Sequence, residues 1–516
     1  MRHISAFILM NTILLAGLSS CALGPDFKRP SAPNAKSYSQ HADSTKNDSV
    51  PVVIDAQQKF NTAADIPSDW WTLFQSQQIN SFIEQALKHN PDIESAQASL
   101  LQAQEYANTQ RGYFFPNIGV SYTPSRNKVA GNMSSATPGP QENGNDIVAA
   151  PPQPTYYNFH TAQLMVGFVP DVFGLNRRQL ESAEALVETQ KFQLEAAHIT
   201  LAAHVFAAAV EHAMLRTQIS AAEKIVITSQ EQVDILNKQL KHGYVSGIDL
   251  AAQQSLLANA QQSLIPLQLQ LQKNRNLLAA LQGSFPDQEF SDAIELSALH
   301  LPEELPFSLP SALIEQRPDV RAAEAQLHYA SAQTGVAIAN QFPQFDITAA
   351  IGGMADTPAW MFKSGGEFFN LSATISQVIF DGGILRAKSR AAQAALTQAG
   401  AQYRSTVIAA VQNVADTLFT LQADAKLIKA AEESAQATEK ALNINRKQYE
   451  LGAINYQALL LAQQAYELSV IDLSQAQASR LLDTAALYQS LGGGWWNRKN
   501  TTTADINLPA SVEATF

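Results

Sequence analysis

Four short segments of the chain alternate strictly between hydrophobic and polar residues. In the first of them, Ile118, Val120 and Tyr122 are separated by small or polar residues. Successive side chains of a β-strand point to opposite faces, so this pattern predicts strands with one apolar and one polar face. The predicted strands cover residues 114–124, 158–170, 343–353 and 367–379.

Hydrophobic residues repeat every seven positions after the second and the fourth predicted strand. Phe192, Ile199 and Phe206 are spaced in this way, and residues 174–242 contain no proline. Heptad spacing indicates helices that supercoil around their neighbours, and a helix of this length would extend about 100 Å. The predicted long helices are 174–242 and 383–451, and the helices that return from them are 249–282 and 456–490.

The same arrangement occurs twice in the chain. KQLKHGYVSG begins at Lys238 and KQYELGAINY at Lys447, which places Gly243 and Gly452 209 residues apart. Each half is predicted to contain a helix, two strands, a long helix, a glycine turn and a returning helix, which indicates an internal twofold repeat. The predicted divisions are a first repeat over residues 69–283, a linker over 284–308 and a second repeat over 309–496.

The alternating strands fit either a half-buried soluble sheet or a wall between lipid and water. Their polar faces are rich in Ser, Thr, Asn and Gln, which suits a water-filled lumen, and each can reach the roughly 9 to 11 residues that cross a bilayer. An open sheet edge is not tolerated in lipid, and four strands cannot close a barrel. We therefore predict a mixed α and β fold in which a transmembrane β-barrel continues into a barrel of long helices. Each copy would supply four strands, and three copies would give twelve.

The N-terminus has the layout of a bacterial lipoprotein signal. Arg2 and His3 precede an apolar stretch that ends in LSSC, where Cys21 is the single cysteine of the chain. This layout predicts a signal peptide over residues 1–20 and cleavage before Cys21, which would carry an acyl chain on its new amino group and a diacylglycerol on its thiol. Ala22 after the cysteine indicates the outer membrane. The alternative is an ordinary signal peptide with an incidental cysteine.

Two further segments have little predicted structure. Residues 21–68 are polar and contain several prolines, so we expect an extended, lipid-anchored leader. Residues 497–516 are expected to form a C-terminal tail.

Charge and motif content limit the function classes. The net charge of −12 argues against nucleic acid as a partner, because phosphate binding depends on clustered Lys and Arg. The sequence offers no Ser/His/Asp arrangement, paired-carboxylate site, phosphate loop or helical histidine pair for a metal. We therefore expect no enzyme activity, and no cofactor other than the covalent lipid.

Five motifs together identify a family. They are CALGPDFKRP at the mature start, DWWTLF at 69–74, QRPDVRAAEAQL at 316–327, QVIFDGG at 377–383 and LYQSLGGGW at 487–495. In this order, around an internal repeat, the chain resembles the TolC-like outer membrane factors, and among them the NodT-like efflux lipoproteins. The resemblance implies a homotrimer with a twelve-strand barrel and a helical tunnel through the periplasm. It also implies a periplasmic adaptor and an inner-membrane transporter as partners.

The glycine turns are the predicted contact with the adaptor. Gly243 and Gly452 stand where each long helix must reverse, and glycine supplies the left-handed conformation that a tight helix end requires. Both turns are far from the predicted strands, so they would meet whatever lies across the periplasm.

The periplasmic aperture is predicted near the second glycine. Relatives often carry acidic residues six and nine positions after it, where this chain has Ala458 and Leu461. The resemblance therefore implies an aperture formed by Tyr456, Gln457 and Leu461 rather than by an acidic ring. Asp249 and Tyr449 occupy positions that pair in relatives, which predicts a hydrogen bond between them. The alternative for Asp249 is a solvated carboxylate at a helix start.

Three functions remain open at this point. The favoured one is the outer membrane duct of a tripartite efflux system. A duct for type I protein secretion would use the same fold, although a lipid anchor favours small-molecule efflux. A non-conducting structural lipoprotein of the envelope would not require the four amphipathic strands.

Overall fold

The computed structural model describes residues 22–31, 58–61, 64–129, 155–287, 294–307 and 313–498, which form two compact units. The predicted signal peptide 1–20, the predicted lipid site Cys21 and the tail beyond residue 498 lie outside the described residues. The helices are α1 (Gln77–His89), α2 (Pro91–Gly112), α3 (Leu175–Lys241), α4 (Gly247–Leu281), α5 (Leu313–Gln316), α6 (Pro318–Ala339), α7 (Ile384–Glu450) and α8 (Tyr456–Ser490). The strands are β1 (Lys59–Asn61), β2 (Asn117–Val129), β3 (Thr155–Phe168), β4 (Glu304–Pro306), β5 (Gln344–Ala355) and β6 (Glu367–Ser376).

A four-stranded antiparallel sheet forms the centre of the first unit, in the order β2, β3, β5, β6. Val120 lies opposite Leu164, Leu164 opposite Ile351, and Ile351 opposite Phe369. The four apolar faces predicted from alternation therefore coincide on one side of the sheet. The strands have 13, 14, 12 and 10 residues, enough to cross a bilayer.

The apolar face of this sheet is exposed. Val120 is 81% exposed, Phe369 83% and Leu371 74%. A soluble sheet would bury such a face against a core, whereas in lipid the face is stable without a protein cover. The outer edges of β2 and β6 have no strand partner among the described residues.

The first two strands extend further from the helices than predicted. β2 was expected over 114–124 but runs from Asn117 to Val129, and β3 begins at Thr155 rather than near 158. Residues 113–115 instead close the end of α2 with backbone hydrogen bonds. The added residues of β2 are mostly polar, so apolar alternation gives no sign of them, and the pairing with β3 holds them in the strand.

Aromatic side chains of the DWWTLF motif fill the core of the second unit. The ring of Trp70 stacks on Tyr488 with centroids 5.7 Å apart, and Phe74 lies 4.4 Å from Phe206. All four side chains are fully buried. Burial of large aromatic rings provides much of the apolar stabilisation of such a core.

Two other family motifs contact each other in the same unit. Arg317 donates a hydrogen bond from Nη1 to the Ser490 carbonyl at 2.9 Å, and Trp495 Nε1 donates to the Gln316 carbonyl at 2.7 Å. A Cβ added to Gly492 would lie 2.4 Å from that same Gln316 oxygen, so only glycine fits there. These motifs therefore join the beginning of the second half of the chain to its last helix.

Part of the predicted linker is a strand. β4 lies within residues 284–308 and pairs in parallel with β1, which lies within the predicted extended leader 21–68. The predicted linker and the predicted extended leader therefore contact each other, and sequence patterns did not indicate this pairing. Each strand has only three residues, too few for a periodic pattern to show.

The long helices α3 and α7 each contain 67 residues, or about 100 Å of helix. The heptad residues Phe192, Ile199 and Phe206 are buried, which confirms that this spacing marks a packed stripe. One window of α3 is long and apolar enough to cross a bilayer, but 67% of it is buried inside the protein. Packing against other helices therefore accounts for its apolar character.

Candidate functional site

Two helical reversals form the candidate site, and both lie in the second unit. We call residues 243–246 the first tip and residues 452–455 the second tip. At the first, Gly243 has φ of 74° and the Tyr244 amide donates to the Gln239 carbonyl at 3.0 Å. At the second, Gly452 has φ of 72° and the Ala453 amide donates to the Gln448 carbonyl at 2.8 Å. Both long helices therefore end in the same glycine-closed motif, as the repeat predicts.

Large apolar side chains are exposed at the first tip and next to both tips. Tyr244 is 80% exposed, Ile248 80% and Leu451 84%. Exposed apolar groups of this size at a helix reversal are typical of a protein contact surface.

The residues that start the returning helices differ between the tips. Ser246 caps α4, and Asp249 Oδ2 accepts hydrogen bonds from the Ser246 amide at 3.0 Å and from its hydroxyl at 2.8 Å. At the second tip Asn455 caps α8 by accepting from the Ala458 amide at 2.9 Å. The first cap is thus a reciprocal pair and the second a single bond.

The structure does not form the predicted hydrogen bond between Asp249 and Tyr449. In the described chain both hydrogen bonds of the Asp249 carboxylate go to Ser246, three residues before it. These bonds hold the pKa of Asp249 below its ordinary value. Asp249 therefore serves the helix start, which was the alternative interpretation, because a local capping partner satisfies the carboxylate first.

Tyr456 makes the long-range contact instead. Its hydroxyl donates to Glu231 Oε2 at 2.8 Å, and its ring centroid lies 5.2 Å from that of Tyr449. The hydrogen bond to the Glu231 carboxylate raises the pKa of Tyr456. Of the other predicted aperture residues, Gln457 is half-buried and Leu461 is 52% exposed.

The contact between Tyr456 and Glu231 is the first step of a polar ladder between α3 and α8. Further along, Gln464 Nε2 donates to Ser229 Oγ at 2.7 Å, and Lys224 Nζ lies 3.4 Å from Glu467 Oε2. The ladder ties the returning helix of the second half to the long helix of the first. Sequence reasoning missed Glu231, because its partner lies 225 residues away and no local spacing links the two.

A short strap after the predicted lipid site is held by a buried arginine in the first unit. Arg178 is 3% exposed and donates to the Leu23 carbonyl at 3.0 Å and to Asp26 at 2.8 Å. Gly24 has φ of 100°, and a Cβ there would lie 2.5 Å from the Cα of Gly335. The described chain therefore begins in a fixed position beside the start of α3.

Comparisons with known proteins agree with this architecture. The model of the outer membrane efflux protein family matches residues 82–284 and 309–493. The pyoverdine export outer membrane protein OpmQ of Pseudomonas putida is 26% identical over 426 residues, which cover 83% of this chain and 88% of OpmQ. Nodulation protein T of Rhizobium leguminosarum is 24% identical over 515 residues, which cover 99% of this chain and 98% of that protein.

A solved structure shows the same fold. The CmeC outer membrane channel of Campylobacter jejuni superposes with a TM-score of 0.80 at 19% identity, over 95% of this chain and 100% of CmeC. The family model covers most of both halves of the sequence, and the two relatives align over 83% and 99% of it. The chain therefore belongs to the outer membrane efflux protein family.

Proposed function

We propose that this protein is the outer membrane duct of a tripartite efflux system and conducts substrates passively out of the cell. One observation carries the proposal: the sheet has a largely exposed apolar face, a polar face and two edges without a strand partner among the described residues. Such a sheet is stable only in lipid and only when its edges close on other copies. A non-conducting envelope lipoprotein would have no use for a polar lumen face.

We further propose that three copies close a twelve-strand barrel and that Cys21 carries the lipid anchor in the outer membrane. The edges of β2 and β6, which have no partner in the described part of the chain, support the closure. Exposed Ile265 and Leu269 on α4 support contact between copies along the helices. The strap held by Arg178 would keep the lipid close to the barrel.

Conductance measurements test the proposed duct function directly. Purified full-length protein in planar bilayers should open ion-conducting channels, because the polar faces of the closed sheet would surround water. If the assembled protein inserts and never conducts, the proposed duct function is wrong. The alternative of a non-conducting structural lipoprotein would then be favoured.

The tips are the proposed contact for a periplasmic adaptor, which links the duct to an inner-membrane transporter. A photoreactive residue in place of Tyr244 or Leu451 should crosslink the adaptor. One in place of Glu433, which is exposed on α7 and about 25 Å before its end at Glu450, should not. Capture of an adaptor of a protein secretion system would favour the type I secretion alternative over efflux.

The bond between Tyr456 and Glu231 is the proposed latch of the aperture. The two residues belong to separate helical hairpins, so outward movement of the α7–α8 hairpin would break the bond. Tyr456→Phe should shift the channel towards the open state by about fivefold, since a hydrogen bond to a charged group contributes about 1 kcal/mol or more. Single-channel recording measures the open fraction.

The matched control for the latch is Tyr449→Phe. Its ring lies beside Tyr456, but no hydrogen bond of its hydroxyl occurs in the described chain, so its loss should leave the open fraction unchanged. Glu231→Gln should resemble Tyr456→Phe, and the double variant should add little to either. Equal open fractions in wild type and Tyr456→Phe would show that the latch lies elsewhere.

A further inference from the structure

Three exposed cations lie at the end of the sheet that is remote from the connected helices. Arg126 and Lys128 are near the end of β2, and Lys363 lies in the turn between β5 and β6. None of them forms an ion pair with another described residue. We call these three residues the basic rim.

The basic rim continues the apolar face of the sheet. Alternation along β2 puts Arg126 and Lys128 on the same side as Val120 and Tyr122. From the helices outward, this side therefore carries apolar residues, then Tyr122, then the two cations. In a membrane, that order matches hydrocarbon, interface and headgroup.

The turn with Lys363 also lies on the apolar side. A Cβ added to Gly353, which shares that side, would lie 2.1 Å from the Met361 carbonyl oxygen. The Met354 amide donates to the Gly366 carbonyl at 2.8 Å, which holds the turn against β5. Lys363 thus stands outside the sheet and not over its polar face.

Aromatic rings support two of the three cations. Lys128 Nζ lies 5.3 Å from the centroid of Tyr156, and Lys363 Nζ lies 4.4 Å from the centroid of Trp360. Both rings are more than half exposed. An aromatic ring at the membrane interface can contact acyl chains. A cation held over such a ring can then face a lipid headgroup.

We propose that the basic rim binds the phosphate groups of an anionic lipid in the outer leaflet. Arg126 and Lys128 are two residues apart on one face, about 7 Å, so both can reach one phosphorylated headgroup. The described residues at this end also include two carboxylates, Asp356 and Glu367, against the three cations. The inference rests on the proposed function, because it requires that the sheet span the outer membrane with this end outward.

The test compares a phosphorylated glycolipid (lipid A) with its dephosphorylated form, each binding to the full-length assembled protein in detergent. Arg126→Gln with Lys128→Gln should weaken binding of the phosphorylated lipid about 25-fold, and Lys363→Gln about fivefold, since each cation near an anionic surface contributes about a factor of five. Lys429→Gln with Lys440→Gln removes two exposed charges from α7 and should change nothing.

Three results would overturn the proposal. They are equal binding by the rim variant and wild type, equal binding of the two glycolipids, and complete displacement of the lipid by inorganic phosphate, which would indicate a site for a soluble anion. Conductance separates this inference from the proposed function. If the wild-type protein conducts and the rim variant binds lipid as well as wild type does, only the lipid-binding proposal is refuted. If the protein never conducts, the proposed duct function is refuted.

Discussion

The returning helices α4 and α8 are equal in length and occupy the same place in the two halves of the chain, yet their surroundings differ. Of 35 residues in each, α8 buries 13 and α4 buries four. α8 packs within the chain and joins α3 through Tyr456 and Gln464. α4 leaves Ile265 64% and Leu269 54% exposed. The two copies of the repeat have thus produced one more buried helix and one that leaves more of its surface exposed.

The largest expected effect is the loss of assembly when the exposed stripe of α4 becomes charged. Ile265→Asp with Leu269→Asp would place two carboxylates in the proposed contact between copies. Burial of an unpaired carboxylate costs several kcal/mol, so association should weaken by roughly a hundredfold or more. Native mass spectrometry in detergent measures the oligomeric state.

The control keeps the stripe apolar, as Ile265→Leu with Leu269→Met. It should assemble like wild type, because volume-conserving apolar changes are well tolerated. Should the charged variant also remain fully assembled, α4 would not be the contact and its difference from α8 would need another cause.

The second expected effect concerns a pair of carboxyl groups in the second hairpin that the first hairpin lacks at the corresponding positions. Burial and the neighbouring Asp483 raise the pKa of Asp424 to about 7, although Arg480 opposes the shift. The two halves are offset by 209 residues, so the first hairpin has Leu215, Asn274 and Leu271 where the second has Asp424, Asp483 and Arg480. Asn274 donates to the Ala208 carbonyl at 3.0 Å, so the first hairpin solves the same packing problem without a carboxylate pair.

The raised pKa makes the stability of the second hairpin depend on pH. A raised carboxyl pKa gives stability that is complete below the unfolded value and is lost as pH rises through the folded value. Between pH 5 and 7 the free energy of unfolding should fall by up to about 1.4 kcal/mol per pH unit. Asp424→Asn should remove this slope. Thermal unfolding followed by circular dichroism from pH 5 to 8 measures the slope. If the stability of wild type and of Asp424→Asn changed equally with pH, the raised pKa of Asp424 would be contradicted.

Sequence patterns predicted the parts of the fold that repeat at a fixed period. Alternation at Ile118, Val120 and Tyr122 located the face of the sheet, and α8 begins and ends at the predicted residues 456 and 490. Lipid and neighbouring helices impose these periods along a whole element, so the signal accumulates over many residues.

Contacts between distant residues gave no such signal. Glu231 and Tyr456 meet only because α3 and α8 lie side by side, and the short strands β1 and β4 pair across more than 200 residues. Asp249 shows the reverse error, since a partner inferred from relatives lost to Ser246, three residues away. Local capping competes with any distant bond and involves less chain ordering.

A smaller and equal effect is expected at the two tip glycines. Gly243→Ala and Gly452→Ala each place a Cβ on a left-handed residue, where it would meet no atom within 4 Å. The cost is therefore only conformational, about 1 kcal/mol at each tip. Amide hydrogen exchange near each tip should accelerate about fivefold. Gly247→Ala, at the first residue of α4 and without a positive φ, should not accelerate it. Unequal effects at the two tips would mean that their backbones differ.

The smallest expected effect distinguishes the caps. Ser246→Ala and Asn455→Ala each remove the side chain that caps a returning helix, and each should accelerate exchange about threefold. Only the first cap contains a carboxylate, and the pKa of Asp249 is lowered by its bonds to Ser246. A lowered pKa gives stability that is present above the unfolded value and lost as pH falls through the folded value. After correction for intrinsic exchange, protection of the first tip should therefore fall below pH 4 relative to the second, and Asp249→Asn should abolish that difference. If the two tips lose protection together, the reciprocal cap at Ser246 adds nothing to the single bond at Asn455.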